Sequence, residues 1–542
     1  MNHLSTFDYA IFLIYFIIVA SYGYWVYHSK KTAGATTKDY FLAEGSLTWW
    51  AIGASIIASN ISAEHFIGMS GSGFAMGLAI ASYEWMAAAT LIIVAVFFLP
   101  IYLKNHIYTM PQFLSRRYNN TVSTIMTVFW LLVYVLVNLT SIFFLGAIAI
   151  ETITGIPFNT CIIALAVFSV IITLGGMKVI GYTDVIQVFV LVSGGLVTCY
   201  MALDMVSEKL NIDTVLDALP VLKSEAGDHF HMIFSKGDKF YNELPGLAVL
   251  VGGLWINNLN YWGCNQYIVQ RALGADLKTG RSGLLFAAFL KLLIPVIVVI
   301  PGICAYVLFK HGYFQTEMMD ATGQVKPDHA YPVLMNLLPS GLKGLAFAAL
   351  TAAIVASLAG KGNSIATIFT LDIYKKYMNK EASERKMLSA GRWSIIVASL
   401  IAIVVAPALR SFDQIYQFVQ EYVGFISPGV FAIFLLGFFW KRTTSAAALC
   451  AALLTIPLSA LLKFLPRLSG GYIEQIPFLN RMSWVFCLII VLMIIITLAD
   501  PKSKNNPQGL EIDTRMFKVS PSFIIASILI LGILSALYIV FW

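Results

Sequence analysis

Charge is what this sequence has least of. Of its 542 residues 12% are Asp, Glu, Lys or Arg, against 59% hydrophobic; a soluble protein carries roughly twice that share of charge. A soluble enzyme or a disordered regulator is excluded on that ground. The six cysteines (Cys161, Cys199, Cys264, Cys304, Cys450, Cys487) fall inside apolar runs with no paired spacing. Neither a disulfide framework nor a zinc site is indicated. There is no HExxH, no GxSxG and no pair of carboxylates on one polar face, which argues against an intramembrane enzyme. Only His3 precedes the first apolar run, and no small-residue cleavage site follows it. Residues 7–27 therefore read as a retained span rather than a signal peptide. Low-complexity tracts are absent, and the polar segments are too short to hold a signalling domain, which disfavours a membrane sensor.

What is present is a recurrence of apolar segments of about 20 residues, each long enough to cross a bilayer core. About 14 such spans can be counted from 7–27 to 522–542, and the chain is expected to be an all-α polytopic membrane protein. The formal charge of +7 reads as topology signal, and no nucleic-acid partner is expected. Lys30, Lys31, Lys38, Lys104, Arg116, Arg117, Arg271, Lys278, Arg281 and the run from Lys375 to Arg392 all fall on one side if the N-terminus lies outside. By the positive-inside rule that side is the cytoplasm, and an even span count puts both termini outside. Residues 204–243 and 310–341 read as extracellular caps.

Two charged side chains sit inside apolar spans: Glu84 in 81–103 and Lys291 in 282–309. A charge at bilayer depth costs about 2.5–3.5 kcal/mol on insertion scales and marks a functional cavity by default. Span 47–80 is too long for one straight helix. It carries Ser59-Asn60-Ile61-Ser62-Ala63-Glu64-His65 and then Ser70-Gly71-Ser72-Gly73 where lipid-facing leucines belong. Span 245–270 repeats the theme with Gly252-Gly253 and Asn257-Asn258-Leu259-Asn260. Polar, glycine-interrupted helices at matching places in two halves point to inverted repeats with a site between them; two continuous polar helices packed by small residues are the alternative.

The stretches 49–87 (WWAIGASIIASNISAEHFIGMSGSGFAMGLAIASYEWMA), 175–187 (GGMKVIGYTDVIQ), 255–271 (WINNLNYWGCNQYIVQR), 286–295 (FAAFLKLLIP), 363–375 (NSIATIFTLDIYK) and 417–444 resemble, in order and over almost the whole chain, the sodium/solute symporter family. The similarity is strongest to its bacterial galactose and animal glucose branches. The resemblance implies a leucine-transporter-type fold of two five-helix inverted repeats plus flanking helices. The implied division is 1–46 (first helix and cytoplasmic linker), 47–203 (first repeat), 204–243 (extracellular loop), 244–439 (second repeat) and 440–542 (last helices). It implies a sodium-coupled importer of a monosaccharide in the cell inner membrane, active as a monomer, whose partners are sugar, sodium and lipid. Symport of another polyol or solute such as inositol or sialic acid, and a proton-driven or uncoupled carrier, are the alternatives.

By the same resemblance the sugar contacts are His65, Glu84, Asn258, Lys291 and Gln420. Their chemistry suits hydroxyls, which both donate and accept. Tyr261 corresponds to an inner gate that Asn60 holds closed, with Tyr83, Trp262 and Tyr416 as walls. His65 stands where the galactose branch has glutamine, and Ala87 where it has serine; both change the sugar contacts. Sodium is expected on the carbonyls of Ala58, Ile61 and Ala353 and the hydroxyl of Ser357. The family's serine pair reads Ala356-Ser357 here, so one hydroxyl is missing and a water substitutes for it. Lys361 replaces a usually apolar residue one turn beyond Ser357. Three readings of Lys361 are open: it snorkels into the inner vestibule, it is a fixed cation that replaces or repels sodium, or it pairs with Asp184.

Overall fold

The computed structural model describes residues 4–29, 47–173, 176–319, 323–412, 414–504, 506–510 and 512–542. The linker with Lys30, Lys31 and Lys38 lies outside them. The helices that build and flank the site are α1 (Thr6–Ser29), α2 (Trp49–Asn60), α3 (Ser70–Met76), α4 (Ser82–Ile93), α5 (Asn120–Leu132), α6 (Thr140–Thr154), α7 (Phe158–Thr173) and α8 (Gly176–Leu210). They continue with α9 (Gly253–Gly263), α10 (Gln266–Leu273), α11 (Leu277–Lys310), α12 (Leu342–Ile368), α13 (Glu384–Val405), α14 (Ile415–Val423), α15 (Ser427–Phe439), α16 (Ser445–Leu468), α17 (Phe478–Ala499) and α18 (Pro521–Val540).

Among the described residues ten helices are long and apolar enough to cross a membrane; α14 with α15, bent by 45° at their junction, would be an eleventh. The difference from the expected count has identifiable causes. Residues Glu64–Lys104 run as one helical trace of 41 residues, about twice a span's length. The chain turns within it at Gly77 (φ 72). A Cβ there would lie 2.2 Å from the His229 carbonyl oxygen, so the corner admits glycine alone. The seventh span is cut into Leu247–Val251, α9 and α10 by Gly252 and by Cys264–Asn265, so no single piece is long enough. Helix α7 is apolar but has only 16 residues.

The break in the second span begins where α2 ends at Asn60 and Ile61 turns extended (φ −74, ψ 122). The chain resumes as the π-helical segment Glu64–Met69, then α3. The polar run 59–65 can leave the helix because its side chains and neighbouring helices satisfy the freed backbone groups. Close approach through glycine holds α2 to α11: a Cβ on Gly53 would lie 2.7 Å from the Gly283 oxygen, and one on Gly283 2.7 Å from Ile52.

Helix ends are tied by buried charge. Asp8 on α1 accepts the backbone N–H of Gly341 (2.7 Å) and of Gly344 (2.9 Å) at the start of α12, where a carboxylate complements the helix dipole. Arg117 donates to the carbonyls of Gly437 (2.8 Å), Trp440 (3.0 Å) and Thr443 (3.0 Å) at the end of α15. Arg281 likewise donates to Ala95 O (3.0 Å) and Lys518 O (2.7 Å). The expectation that Arg117, Arg271 and Arg281 are loop charges is corrected: all three are buried, Arg117 and Arg281 on backbone carbonyls and Arg271 chiefly on serine hydroxyls, because the planar guanidinium fork serves several acceptors at once.

Candidate functional site

Four helical pieces converge at the breaks. Glu84 opens α4, His65 sits on the π segment, Asn60 ends α2, and Lys291 lies midway along α11. Lys291 Nζ donates to Glu84 Oε2 and to Asn60 Oδ1, both in tight contact. The ammonium also lies 4.8 Å from the Trp262 ring centroid. His65 Nε2 lies 3.3 Å from Glu84 Oε1, while His65 Nδ1 accepts the Ser62 backbone N–H at 3.4 Å. Because Nδ1 accepts, the ring proton belongs on Nε2, which donates to Glu84. One carboxylate thus takes one ammonium and one neutral imidazole.

Most of these groups border a polar cavity with about 60 Å³ of free internal space. Asn60, His65, Tyr83, Glu84, Asn258, Tyr261, Trp262, Tyr416, Gln420 and Lys361 all line it. Lys291 does not reach the wall. It is wholly buried, in contact with the lining residues Glu84 and Asn60. Two of the ammonium's three N–H groups are taken by these oxygen partners.

On the gate side, Asn60 Nδ2 donates to the Tyr261 hydroxyl at 2.8 Å, and that hydroxyl touches the hydroxyl of Tyr267. Trp262 Nε1 donates to Asn258 Oδ1 at 3.1 Å. Asn257 Nδ2 donates to Gln420 Oε1 at 2.8 Å, joining α9 to α14. Tyr416 meets Tyr83 edge-on at 5.5 Å and His65 at 6.0 Å. Asn258 Nδ2, Asn257 Oδ1, Asn260 Oδ1 and the Tyr83 hydroxyl are buried yet have no hydrogen-bond partner among the described residues, although all four residues line the cavity. An unmade buried hydrogen bond costs about 1–3 kcal/mol.

Ala58, Ile61, Ala353 and Ser357 lie fully buried on α2, its C-terminal break and α12. The Ser357 hydroxyl donates to Ser59 O at 2.7 Å and approaches Ile61 O at 3.3 Å. The carbonyl end of α2 is the negative end of its dipole, and these oxygens suit a hard cation.

Lys361 is 1% exposed, so it does not snorkel. Nor does it pair with Asp184. Its Nζ lies 3.6 Å from Glu64 Oε2 and 5.5 Å from the Tyr267 ring centroid. Asp184 instead accepts from Ser55 Oγ at 2.5 Å and faces Arg271 at 3.9 Å. Arg271 Nε donates to Ser55 Oγ at 2.8 Å, and the same guanidinium grips Ser59 and the Tyr267 carbonyl. Glu64 is the residue that sequence reasoning passed over. It lines the cavity, accepts from Ser62 Oγ (3.3 Å) and from Ser141 Oγ in tight contact, and belongs to the same polar run as His65. The signal that marks Glu84, an acid at bilayer depth, marks Glu64 too.

Broken helices around a polar chamber at the middle of an apolar bundle define a secondary transporter of the leucine-transporter type. The sodium:solute symporter family profile matches residues 40–455, and the chain belongs to that family. It is 45% identical to the sodium/glucose cotransporter of Vibrio parahaemolyticus over 99% of both chains. It is 33% identical to the human sodium/myo-inositol cotransporter 2 over 81% of this chain and 67% of that one. Among solved structures, the substrate-bound outward-open state of a Na+-coupled sialic acid symporter superposes with a TM-score of 0.76. That superposition covers 92% of this chain and 98% of that one at 22% identity. A closed-conformation nucleobase-cation-symport-1 family transporter matches at 0.54 over 85% and 95%, with 14% identity; these two likenesses carry the fold. The protein is therefore a multi-pass membrane symporter that takes sodium as its co-transported ion, and not an enzyme.

Proposed function

We propose that the chain imports a neutral monosaccharide such as glucose or galactose, driven by sodium, with His65, Glu84, Asn258 and Gln420 as contacts and Lys291 acting through Glu84. The observation that carries the reading is the set of unpartnered amide and phenol groups on Asn257, Asn258, Asn260 and Tyr83, residues that line a chamber whose buried charges are paired with opposite ones. Glu84 is held by Lys291, and Glu64 by Lys361. A charged guest would meet no spare counter-charge there. A polyhydroxylated neutral guest gives each unpaired amide a partner, and analogues lacking a hydroxyl are rejected because the site's groups stay unpaired. Cyclic polyols share this chemistry, and the 33% identity to a myo-inositol cotransporter supports inositol as the second candidate.

Sodium occupies the oxygens of Ala58, Ile61, Ala353 and Ser357 and ties broken α2 to α12. That tie favours the outward-open state, which is the differential binding that coupling requires. One sodium entering down 100 mV releases about 2.3 kcal/mol, and a tenfold gradient adds about 1.4 kcal/mol; together they support several-hundred-fold accumulation. Tyr261, held by Asn60, closes the inner side of the chamber, and Tyr83, Trp262 and Tyr416 wall it. Residues 47–203 and 244–439 act as the two inverted repeats, supported by the paired breaks after Asn60 and Gly263. Fourteen spans, an inner-membrane location with both termini outside and a working monomer complete the reading.

The test is uptake into vesicles of the purified protein, using labelled glucose, galactose and myo-inositol with a sodium gradient or with choline. Sodium-dependent accumulation of a hexose is the expected result. Accumulation of inositol alone, or equal uptake in choline, refutes the hexose or the coupling respectively.

A further inference from the structure

The Glu64–Lys361 pair has no part in the sugar contacts or in the sodium ligands, yet it sits against both. Lys361 follows Ser357 by four residues on α12, which places it one turn away on the same helix face. Glu64 Oε2 accepts from Ser62 Oγ at 3.3 Å, and Ser62 directly follows Ile61, whose carbonyl faces the Ser357 hydroxyl at 3.3 Å. The ammonium and carboxylate are therefore anchored on the two elements, α12 and the break after α2, whose oxygens are offered to sodium. Both are nearly water-free, so neither charge is screened by solvent. The Tyr267 ring at 5.5 Å and the hydroxyl contact of Tyr267 with Tyr261 connect the pair to the gate.

We propose that Lys361 is a tethered cation that sets the sodium affinity of the symporter: its ammonium opposes sodium at the neighbouring oxygens, and Glu64 offsets that opposition. The inference rests on the sodium placement given above. A pair that only braces the helices would respond to any truncation in one direction. An electrostatic tuner responds with opposite signs. Removing the ammonium leaves a bare carboxylate beside the ion, and removing the carboxylate's charge leaves a bare ammonium.

The experiment is a sodium titration of the purified full-length protein, read by intrinsic tryptophan fluorescence with choline as replacement cation. Lys361→Met should lower the half-saturating sodium concentration by about tenfold or more, and Glu64→Gln should raise it by about as much. The double variant E64Q/K361M should return to within about threefold of the parent, and Lys361→Arg should leave the value near the parent's. Shifts of the two single variants in the same direction, or no shift from Lys361→Met, overturn the proposal; because the double variant restores net charge, loss of folding in one single variant leaves its value to decide. Ser357→Ala separates this from the underlying placement. If it leaves the titration unchanged, the sodium ligands are misassigned; if it abolishes the response while the pair variants stay inert, the placement holds and the tethered cation falls.

Discussion

Replacing Lys291 with methionine probes how fold and site are joined. The change keeps an unbranched side chain, one atom shorter, and deletes its charge. In the parent the ammonium serves Glu84 and Asn60 at once, while Asn60 holds Tyr261 at 2.8 Å. Methionine leaves Glu84 buried with only the imidazole of His65 at 3.3 Å. Removing one partner of a buried ion pair costs about 3–5 kcal/mol, because the other charge stays behind unpaired. With an unfolding entropy of roughly 2.1 cal/mol/K per residue, a loss of about 4 kcal/mol lowers the Tm of a chain this size by about 3–4 °C. Adding Glu84→Gln removes the orphaned charge and should recover most of that loss. Uptake should not recover. The carboxylate that accepts sugar hydroxyls is gone, and a hydrogen bond to a charged group contributes about 1.5–3 kcal/mol, or about 10- to 150-fold in affinity. The assays are thermal unfolding in detergent and hexose uptake into vesicles. A single Lys291→Met variant as stable as the parent, or a double variant no more stable than the single, would refute the reasoning.

Three further outcomes follow from other contacts. Gly77→Ala should strongly destabilise the protein or abolish its folding, since the residue has φ 72 and its Cβ would strike the His229 carbonyl at 2.2 Å; yield of monodisperse protein is the measure. Asp8→Ala removes the acceptor for the Gly341 and Gly344 N–H groups and should cost about 1–2 kcal/mol, seen as a lowered Tm. His229 lies in the segment between α8 and α9, stacked on Tyr306 at 3.8 Å and bonded to Phe74 O at 3.0 Å. Burial pulls its pKa below the usual 6.5, against a smaller opposing effect from the bond to Phe74. The unfolded chain then takes up the proton first, so stability is complete above about pH 6.5 and declines as pH falls below it. A His229→Gln variant should show a flatter Tm-against-pH curve over that interval, and an unchanged slope would refute the assignment.

The apolar spans, the two interrupted helices and the intramembrane Glu84 and Lys291 were legible because each breaks a strong expectation of bilayer chemistry. Partners were not legible. Lys291 and Glu84 are 207 positions apart, and only the folded chain shows that the two side chains are in contact. Lys361 illustrates the limit more sharply. Its anomaly was plain, but one helix face was compatible with the vestibule, with a fixed cation beside sodium and with a pairing to Asp184, and the partner it takes, Glu64, lies across the break. Arg271 read as a loop cation because it follows an apolar segment; that segment bends at Cys264–Asn265 and carries the guanidinium inward to Ser55 and Ser59. Long-range pairing is set by how broken helices cross, which local pattern does not encode.

Three buried ion pairs share one arrangement. Glu84 on α4 meets Lys291 on α11, Glu64 after the α2 break meets Lys361 on α12, and Asp184 on α8 meets Arg271 on α10. Each pair joins two helical elements, and each touches α2 or the break that follows it, through Asn60, Ser62 or Ser55. A charge left alone at this depth costs several kcal/mol, so the helices cannot slide apart one at a time without exposing one of these groups. They can move only in sets that keep the pairs whole or re-pair them. Rigid sets rocking about a fixed polar site are what alternating access needs. The buried ion pairs thus serve transport less by adding stability than by deciding which helices travel together.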